Sequence, residues 1–354
     1  MANERAADRI PISLVTGFLG SGKTTLIAAL LTQPAMEGTA IIVNEYGAVG
    51  IDDAIFAQST DANDVLLLAN GCLCCTAGDD LATTVWSLAR RREHPKRIVI
   101  ETTGLADPAP VLRRLMGDPR LAQATRLDTI VATIDAVSGL DNLDRQPVAA
   151  RQCAVADRRI VTKSDIADPA DVERVKQRLR ALNPGAEILQ VEHGRIDADT
   201  LLNASLYEAK AGLSDVDRWL NVEARRGHAH GHDDHDHHDH HVATWLVEEE
   251  RPVDWEVFAP KLGEIIARHG EALLRVKGVI HTSDDSRPIV IHGVQRTFHP
   301  PVRLFKWKAQ RGTKIVVIGE TSAGPAIAEI AEALSEAALA ACETSGKIRA
   351  RLTG

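Results

Sequence analysis

The chain has no long hydrophobic run. None of its 354 residues belongs to a stretch approaching the roughly 18 apolar residues that a membrane-spanning helix needs. Residues 1–9 are polar and lead directly into a strand-like segment, without the apolar stretch and small-residue cleavage site of a secretory signal. The hydrophobic fraction of 44% is nevertheless sufficient for globular cores. We therefore expect a cytoplasmic protein with no membrane partner.

Basic residues are outnumbered by acidic ones. Lysine and arginine total 41 against 49 aspartates and glutamates, so the formal net charge is −8, and no long Lys/Arg run interrupts this balance. A protein that binds a phosphate backbone needs a basic face. We therefore expect no nucleic-acid partner.

Cysteine is also scarce, with five residues in the chain. Three of them are clustered, so the set does not resemble an oxidised disulfide framework. Cys153 and Cys342 are expected to be ordinary reduced thiols.

The clustered cysteines are Cys72, Cys74 and Cys75, directly after Gly71. Sulfur is a soft donor, so the cluster favours zinc, copper(I) or another thiophilic ion over magnesium or calcium. Three sulfurs leave a tetrahedral ion one further position, which is typical of sites that exchange their metal rather than of closed structural sites. A disulfide or three small buried hydrophobic residues are the alternatives.

Short apolar runs alternate with helical patterns in the first part of the chain. Such runs, buried on both faces, predict a parallel sheet sandwiched by helices. The strand candidates are residues 10–15, 40–43, 65–68, 97–100, 130–134, 159–161 and 188–191, and the helix candidates are 23–31, 81–91 and 170–182. The expected fold class is therefore α/β, a parallel sheet with helices on both faces.

The length favours two domains. We predict a nucleotide-binding domain over residues 1–221, a linker over 222–241, a smaller α+β domain over 242–342 and a frayed polar tail over 343–354. The second domain has strand patterns at residues 244–247, 273–280, 288–294 and 314–318, and helical patterns at 255–269 and 326–342.

A glycine-rich loop carries the strongest motif. The segment from Gly17 to Thr24 fits G-x-x-x-x-G-K-[ST] between a strand and a helix, which is the context that a phosphate-binding loop requires. Its backbone N–H groups and the helix amino terminus would face the phosphates. Lys23 would span the β and γ phosphates, and the Thr24 hydroxyl would bind Mg²⁺. The expected nucleotide-binding residues of this loop are Gly17, Gly20, Ser21, Gly22, Lys23, Thr24 and Thr25.

Two further motifs follow later strands. Glu101 ends a strand and Gly104 follows three residues later, as in a switch whose acid orients a magnesium-bound or attacking water and whose glycine senses the γ-phosphate. Thr162, Lys163 and Asp165 have the T-K-x-D form of a guanine-reading loop, in which the aspartate accepts from guanine N1–H and its exocyclic amine. We thus expect Lys23, Glu101 and Gly104 to act in hydrolysis, and GTP rather than ATP to be the nucleotide.

The loop over residues 44–52 contains two glycines and two acids, Glu45 and Asp52. It has the character of a mobile nucleotide-sensing loop, with an ordinary strand-to-helix turn as the alternative. Of the two acids, Glu45 is the preferred candidate ligand of magnesium or of the cysteine-bound metal.

Residues 228–241 hold eight histidines and four aspartates and cannot build a core. Neutral imidazole is a good ligand for zinc, nickel or cobalt, so the tract is interpreted as a metal buffer, with a plain solvated linker as the alternative. The histidines are His228, His230, His232, His235, His237, His238, His240 and His241.

The order of these motifs resembles the CobW family of P-loop GTPases, which includes zinc metallochaperones and cobalamin-biosynthesis proteins. The resemblance covers nearly all of the chain, from the phosphate loop through N-E-Y-G at 44–47, G-C-L-C-C at 71–75, E-T-T-G at 101–104 and T-K-S-D at 162–165 to His292 and Trp307. Many relatives have an acid in place of Ala48 and serine in place of Thr102. The resemblance implies that Cys72, Cys74 and Cys75 bind the cargo metal and that slow GTP hydrolysis regulates this site.

The sequence therefore predicts a GTP-dependent metallochaperone, most consistent with zinc as cargo, that delivers its metal to a client metalloenzyme as a monomer or homodimer. The cofactors would be GTP, Mg²⁺ and Zn²⁺, with Co²⁺ as the alternative metal. Two rivals stay open: a cobalt-handling protein of cobalamin synthesis, and a non-catalytic zinc buffer.

Overall fold

The structure is a computed structural model that describes residues 9–44, 64–68, 77–202, 242–285, 287–304 and 312–352. The chain divides into two compact units that separate between residues 205 and 206. Each unit is described by itself.

The first unit is built on a seven-stranded sheet in the order β3-β2-β4-β1-β5-β6-β7. Every neighbouring pair of strands is parallel. The strands are β1 (Ile10–Gly17), β2 (Thr39–Asn44), β3 (Asp64–Leu68), β4 (Arg97–Glu101), β5 (Thr125–Asp135), β6 (Arg158–Thr162) and β7 (Glu187–Gln190). Because all strands run the same way, the loops that follow them meet at one edge of the sheet, where open α/β sheets bind ligands.

Helices lie in the described crossovers between these parallel strands, and one further helix follows β7. They are α1 (Lys23–Leu31), α2 (Ala77–Ala89), α3 (Pro108–Gly117), α4 (Pro119–Ala124), α5 (Gly139–Arg145), α6 (Pro147–Val155), α7 (Pro169–Leu182) and α8 (Ala198–Leu202). Leu26, Ile27 and Leu30 of α1 are fully buried against the sheet in one apolar cluster with Val15 and Ile41. The predicted α/β class and all seven predicted strands are confirmed.

Strand β5 is longer than its apolar pattern indicates. It begins at Thr125 rather than at Ile130, and all 11 of its residues are buried. Its first half contains a buried ion pair between Arg126 and Asp128, with 2.8 Å between Nη1 and Oδ1. Paired in this way, the two charges tolerate burial, but their polarity interrupts the hydrophobic run by which a strand is recognised.

The second unit is an antiparallel sheet covered by two helices. Its elements are β8 (Val242–Glu249), α9 (Trp255–His269), β9 (Leu273–Ile280), β10 (Ile289–Val294), β11 (Thr297–Phe298), β12 (Val302–Arg303), β13 (Thr313–Glu320) and α10 (Gly324–Leu352). The strand order is β11-β10-β9-β13-β8, and β12 pairs with β10. Phe258 of α9 and Ile330 of α10 are fully buried in one core with Val276 and Val317 of the sheet. The α+β pattern expected for this part of the chain is thus present.

The last helix differs from the prediction. It continues to Leu352, whereas the apolar pattern fades at Cys342 and residues 343–354 were expected to be frayed. Once a helix is nucleated, each further residue adds one backbone hydrogen bond, so a polar segment can extend it. The predicted domain boundaries at 221 and 241 lie outside the described residues and stay predictions. Over the described residues, no helix is both long and apolar enough to cross a membrane.

The environment of Cys153 makes a prediction about thiol reactivity. Cys153 in α6 is 2% exposed, and burial raises its pKa to about 12, whereas Cys342 is exposed. Because the thiolate is the reactive species, we expect an alkylating reagent at neutral pH to modify Cys342 and to spare Cys153 until the protein is unfolded. Peptide mass spectrometry with and without denaturant measures both sites. Equal labelling of the two in the native protein would contradict this packing.

Candidate functional site

The loop between β1 and α1 forms a cradle that depends on glycine. Gly17, Gly20 and Gly22 have φ angles of 141°, 69° and 90°, which side-chain-bearing residues rarely adopt. At Gly17 space is also limiting, because a Cβ atom would lie 2.4 Å from Thr133 Oγ1 and 2.5 Å from the Thr133 carbonyl oxygen. The cradle therefore sits directly on β5.

Lys23 opens α1 and points its ammonium group into this cradle. Its Nζ donates to the carbonyl oxygens of Gly17 at 3.0 Å and Phe18 at 3.2 Å, and the residue is buried. A positive charge and the amino-terminal end of α1 thus face the same small volume. Both favour an anion such as a phosphate group.

Hydroxyl groups fasten the loop to the neighbouring strands. Ser21 Oγ lies 2.6 Å from Thr133 Oγ1, a contact between residues 112 positions apart. Thr162 Oγ1, at the end of β6, donates to the Ser21 carbonyl oxygen at 2.8 Å. Ser21 and Thr162 were predicted site residues. Thr133 was not, because a single threonine inside an apolar strand belongs to no motif.

The structure brings together Thr24 and Glu101, two residues of different sequence motifs. Thr24 Oγ1 donates to Glu101 Oε1 at 3.0 Å, although the residues are 77 positions apart. The contact arises because β4, which ends at Glu101, pairs directly with β1. A hydroxyl and a buried carboxylate are oxygen donors of the kind that Mg²⁺ takes, so the residues present fit this ion.

The segment after β4 packs against the phosphate loop. A Cβ atom at Gly104 would lie 2.7 Å from the backbone nitrogen of Leu19 and 2.8 Å from its Cα. Thr102 fastens the start of the segment, since its N–H donates to the Val15 carbonyl oxygen at 3.0 Å and its Oγ1 to Thr16 Oγ1 at 2.9 Å. Gly104 is therefore held at the loop without a side chain between them.

The T-K-S-D segment lies at the same edge of the sheet. Lys163 has a φ of 55°, and its Nζ lies 2.5 Å from Oδ2 of Asp135, the last residue of β5. Asp165 keeps 29% of its side chain exposed, and His193 Nε2 lies 3.8 Å from its Oδ2. The sequence prediction missed Asp135, although its place at a strand end was a usable signal. The side chain of His193 is 71% exposed.

The predicted metal ligands Cys72, Cys74, Cys75 and Glu45 and the eight histidines of residues 228–241 lie outside the described residues. The strands that precede Glu45 and the three cysteines, β2 and β3, are described up to their last residues. Asn44, the last residue of β2, is in register with Leu68, the last residue of β3, and Val43 is in register with Glu101. In the part of the chain that the structure describes, no group of three or more His, Cys, Asp or Glu side chains could hold a metal ion.

Two family models match the chain. The nucleotide-binding domain of CobW, HypB and UreG matches residues 11–190, and the carboxy-terminal domain of the cobalamin synthesis protein cobW matches residues 242–338. The first contains the phosphate loop, Glu101, Gly104 and Asp165, and the second contains the antiparallel sheet.

Curated relatives span most of the chain. The zinc chaperone CobW of Pseudomonas aeruginosa is 31% identical to this chain. The alignment covers 90% of this chain and 90% of the relative. The zinc chaperone YjiA of Escherichia coli is 30% identical over 293 residues, which cover 82% of this chain and 87% of the relative. A crystal structure of the Zn(II)-bound YjiA GTPase from E. coli aligns with a TM-score of 0.66 and 26% identity, covering 93% of this chain and 99% of that one.

The cradle geometry predicts different tolerances at two glycines. Gly17→Ala should weaken binding of a non-hydrolysable GTP analogue by more than about tenfold, because the added methyl group clashes with Thr133 and the φ angle is unfavourable. Gly20→Ala should have a smaller effect, since no atom lies within 4 Å of its Cβ position and only the backbone penalty remains. Titration calorimetry measures both.

Gly263→Ala in α9 is the matched control, because open space surrounds that position as well. It should leave nucleotide affinity unchanged. Equal losses for Gly17→Ala and Gly20→Ala would show that close approach to β5 does not shape the cradle.

Proposed function

The chain belongs to the CobW/HypB/UreG family of P-loop GTPases, and from this membership and the site geometry we propose that it is a GTP-dependent zinc metallochaperone. The single observation that carries the proposal is the convergence of Lys23, Thr24 and Glu101 in the cradle, at the sheet edge where β2 and β3 also end. In this proposal the nucleotide site and the metal site are neighbours.

The phosphates of GTP would lie in the cradle of residues 17–24. Lys23, which now bonds to loop carbonyls, would turn its ammonium group to the β and γ phosphates. Thr24 and Glu101 would hold Mg²⁺, which supplies positive charge to the phosphates when bound. Gly104 would contact the γ-phosphate through its backbone N–H, as in other switch segments.

The guanine base would lie at the T-K-S-D segment. Asp165 would accept from guanine N1–H and the exocyclic amine, a pair of donors that adenine does not present in this arrangement. The ion pair between Lys163 and Asp135 supports this assignment, because it fixes the segment that carries Asp165 to the end of β5.

Zinc would be bound as cargo by Cys72, Cys74 and Cys75, with Glu45 as a candidate fourth ligand. This assignment rests on donor chemistry and on chain order: residue 45 follows β2 and the cysteines follow β3 within seven residues of its end at Leu68. The histidine tract would hold additional zinc in weaker sites.

The proposed mechanism is thermodynamic linkage between GTP binding and zinc binding. If bound GTP raises zinc affinity, bound zinc must raise GTP affinity by the same factor. Loss of the γ-phosphate would then weaken the thiolate site and release zinc to a client metalloprotein. We place this exchange in the cytoplasm, where thiols stay reduced. Whether the protein acts as a monomer or a homodimer does not alter the scheme.

The first test of this proposal is zinc affinity as a function of nucleotide. We expect at least about fivefold tighter Zn²⁺ binding with Mg²⁺ and a non-hydrolysable GTP analogue than with GDP or no nucleotide, the lower end of typical allosteric coupling. Competition with a fluorescent zinc chelator measures this ratio. Equal zinc affinities in the three nucleotide states would refute the chaperone mechanism.

Two variants distinguish the proposed chaperone from the alternative functions. Lys23→Ala should abolish the nucleotide effect but not zinc binding itself, whereas a zinc buffer would show no nucleotide effect even in the unaltered protein. Replacing Cys72, Cys74 and Cys75 by serine should remove the nucleotide-sensitive zinc and leave GTP binding intact. Repeating the competition with Co²⁺ tests the cobalt alternative, which predicts that the nucleotide effect is larger for Co²⁺ than for Zn²⁺.

The histidine tract makes a separate prediction. Zinc bound beyond the thiolate site should be released as the pH falls through about 6.5, the ordinary pKa of histidine, because protonated imidazole is not a ligand. Equilibrium dialysis on either side of this pH measures the stoichiometry. A variant with asparagine in place of the eight histidines and unchanged aspartates is the control. If this variant retains as much zinc as the unaltered protein above that pH, the tract is only a linker.

A further inference from the structure

Gln152 lies on α6 and is fully buried. Its side-chain amide reaches the segment that follows β4, where Nε2 donates to the carbonyl oxygens of Gly104 at 3.1 Å and Ala106 at 3.0 Å. Two carbonyl acceptors require the NH₂ group on that side, so the contacts fix which way the amide is turned. Gln152 thus holds the residues on both sides of Leu105.

Burying this amide is costly. In the part of the chain that the structure describes, its Oε1 atom has no hydrogen-bond partner, and an unsatisfied buried acceptor is unfavourable. The other core-facing positions of α6 carry small or apolar side chains, Ala149, Cys153 and Val155 among them. The residue type at 152 is therefore accounted for by the two carbonyl groups it binds rather than by packing alone.

The same segment is confined on its other side by the phosphate loop. Gly104 lies against Leu19 without room for a Cβ atom. The carboxy-terminal end of the segment is fixed as well, because Asp107 Oδ1 accepts from the Ala109 N–H at 2.9 Å and caps α3. Loss of the Gln152 bonds would leave the middle of the segment with only its local contacts to Thr103, such as the 3.1 Å bond from the Ala106 N–H to the Thr103 carbonyl oxygen, while both ends stay attached.

We propose that Gln152 is a positioning residue of the switch, which holds Gly104 at the phosphate loop so that its backbone can meet the γ-phosphate. This inference rests on the proposed role of Gly104. Gln152 touches neither nucleotide nor Mg²⁺ in this scheme and acts only through the segment. The two hydrogen bonds from Gln152 can break and re-form. The segment can therefore still move when the γ-phosphate leaves.

A second buried amide provides a matched control. Asn183 is 1% exposed, and its Nδ2 donates to the carbonyl oxygens of Ala154 at 2.8 Å and Ala156 at 3.3 Å. It therefore makes the same kind of two-carbonyl contact at the carboxy-terminal end of α6, away from the residues of the switch. Removing either amide loses the two bonds to carbonyl groups, and at Asn183 also the bond that its Oδ1 accepts from the Gly185 N–H at 3.1 Å, but only Gln152 holds Gly104.

The test compares Gln152→Met and Asn183→Leu, which resemble the original side chains in shape and remove the amide donor. Gln152→Met should lower kcat for GTP hydrolysis by about tenfold and leave the KM for GTP within about twofold, because the cradle and the base-reading loop are untouched. It should also speed amide hydrogen exchange over residues 102–107 in the nucleotide-free protein. Asn183→Leu should lower the melting temperature at least as much, since it removes one more hydrogen bond, and should leave both kcat and this exchange unchanged.

The proposal is overturned if Gln152→Met keeps kcat within about twofold, or if both variants reduce kcat alike. Lys23→Ala distinguishes this failure from a wrong GTPase site. If Lys23→Ala abolishes hydrolysis while Gln152→Met behaves like Asn183→Leu, only the role of Gln152 is refuted. If Lys23→Ala leaves hydrolysis intact, the nucleotide site itself is misassigned.

Discussion

The close approach of the phosphate loop to β5 is the constraint on which the site depends. At Gly17 the backbone lies so near Thr133 that no side chain fits, and Ser21 closes the same gap with a hydroxyl contact of 2.6 Å. Because the loop is fixed there, α1 begins at Lys23 with its first turn facing the cradle. The buried ammonium group and the helix amino terminus then act on one volume, which is more favourable for an anion than either alone.

The parallel sheet brings the other candidate site residues to the same edge as this loop. Strands β1, β4, β5 and β6 are neighbours, so the phosphate loop, Glu101, Asp135 and the T-K-S-D segment all emerge at one edge. Their contacts span large sequence separations, including 77 positions between Thr24 and Glu101 and 28 between Asp135 and Lys163. A sheet of buried strands is stiff, so these groups keep their spacing before any ligand binds, which reduces the ordering cost of binding.

The sequence was sufficient for the fold class, and its motifs marked residues that the structure brings to one edge of the sheet. Lys23, Thr24, Glu101 and the T-K-S-D segment were found because their spacing follows from local backbone geometry. Thr133 and Gln152 were not, since each acts through a contact with a residue at least 46 positions away and stands in an otherwise ordinary strand or helix. The first half of β5 was missed for a different reason, because the buried Arg126–Asp128 pair interrupts the hydrophobic pattern by which a strand is recognised.

The arrangement also limits how a nucleotide could affect the metal site that we propose after β3. A route through the sheet is short, because β3 pairs with β2, β2 with β4, and β4 ends at Glu101. Paired strands do not slide independently, so the sheet itself cannot be the moving part. Beyond the end of β4 lies the segment Thr102–Asp107, which is held by Gln152 on one side and by the phosphate loop on the other. Coupling in this family member would therefore require the segments after β2, β3 and β4 to contact one another beyond the sheet, with Gly104 as the element that responds to the γ-phosphate.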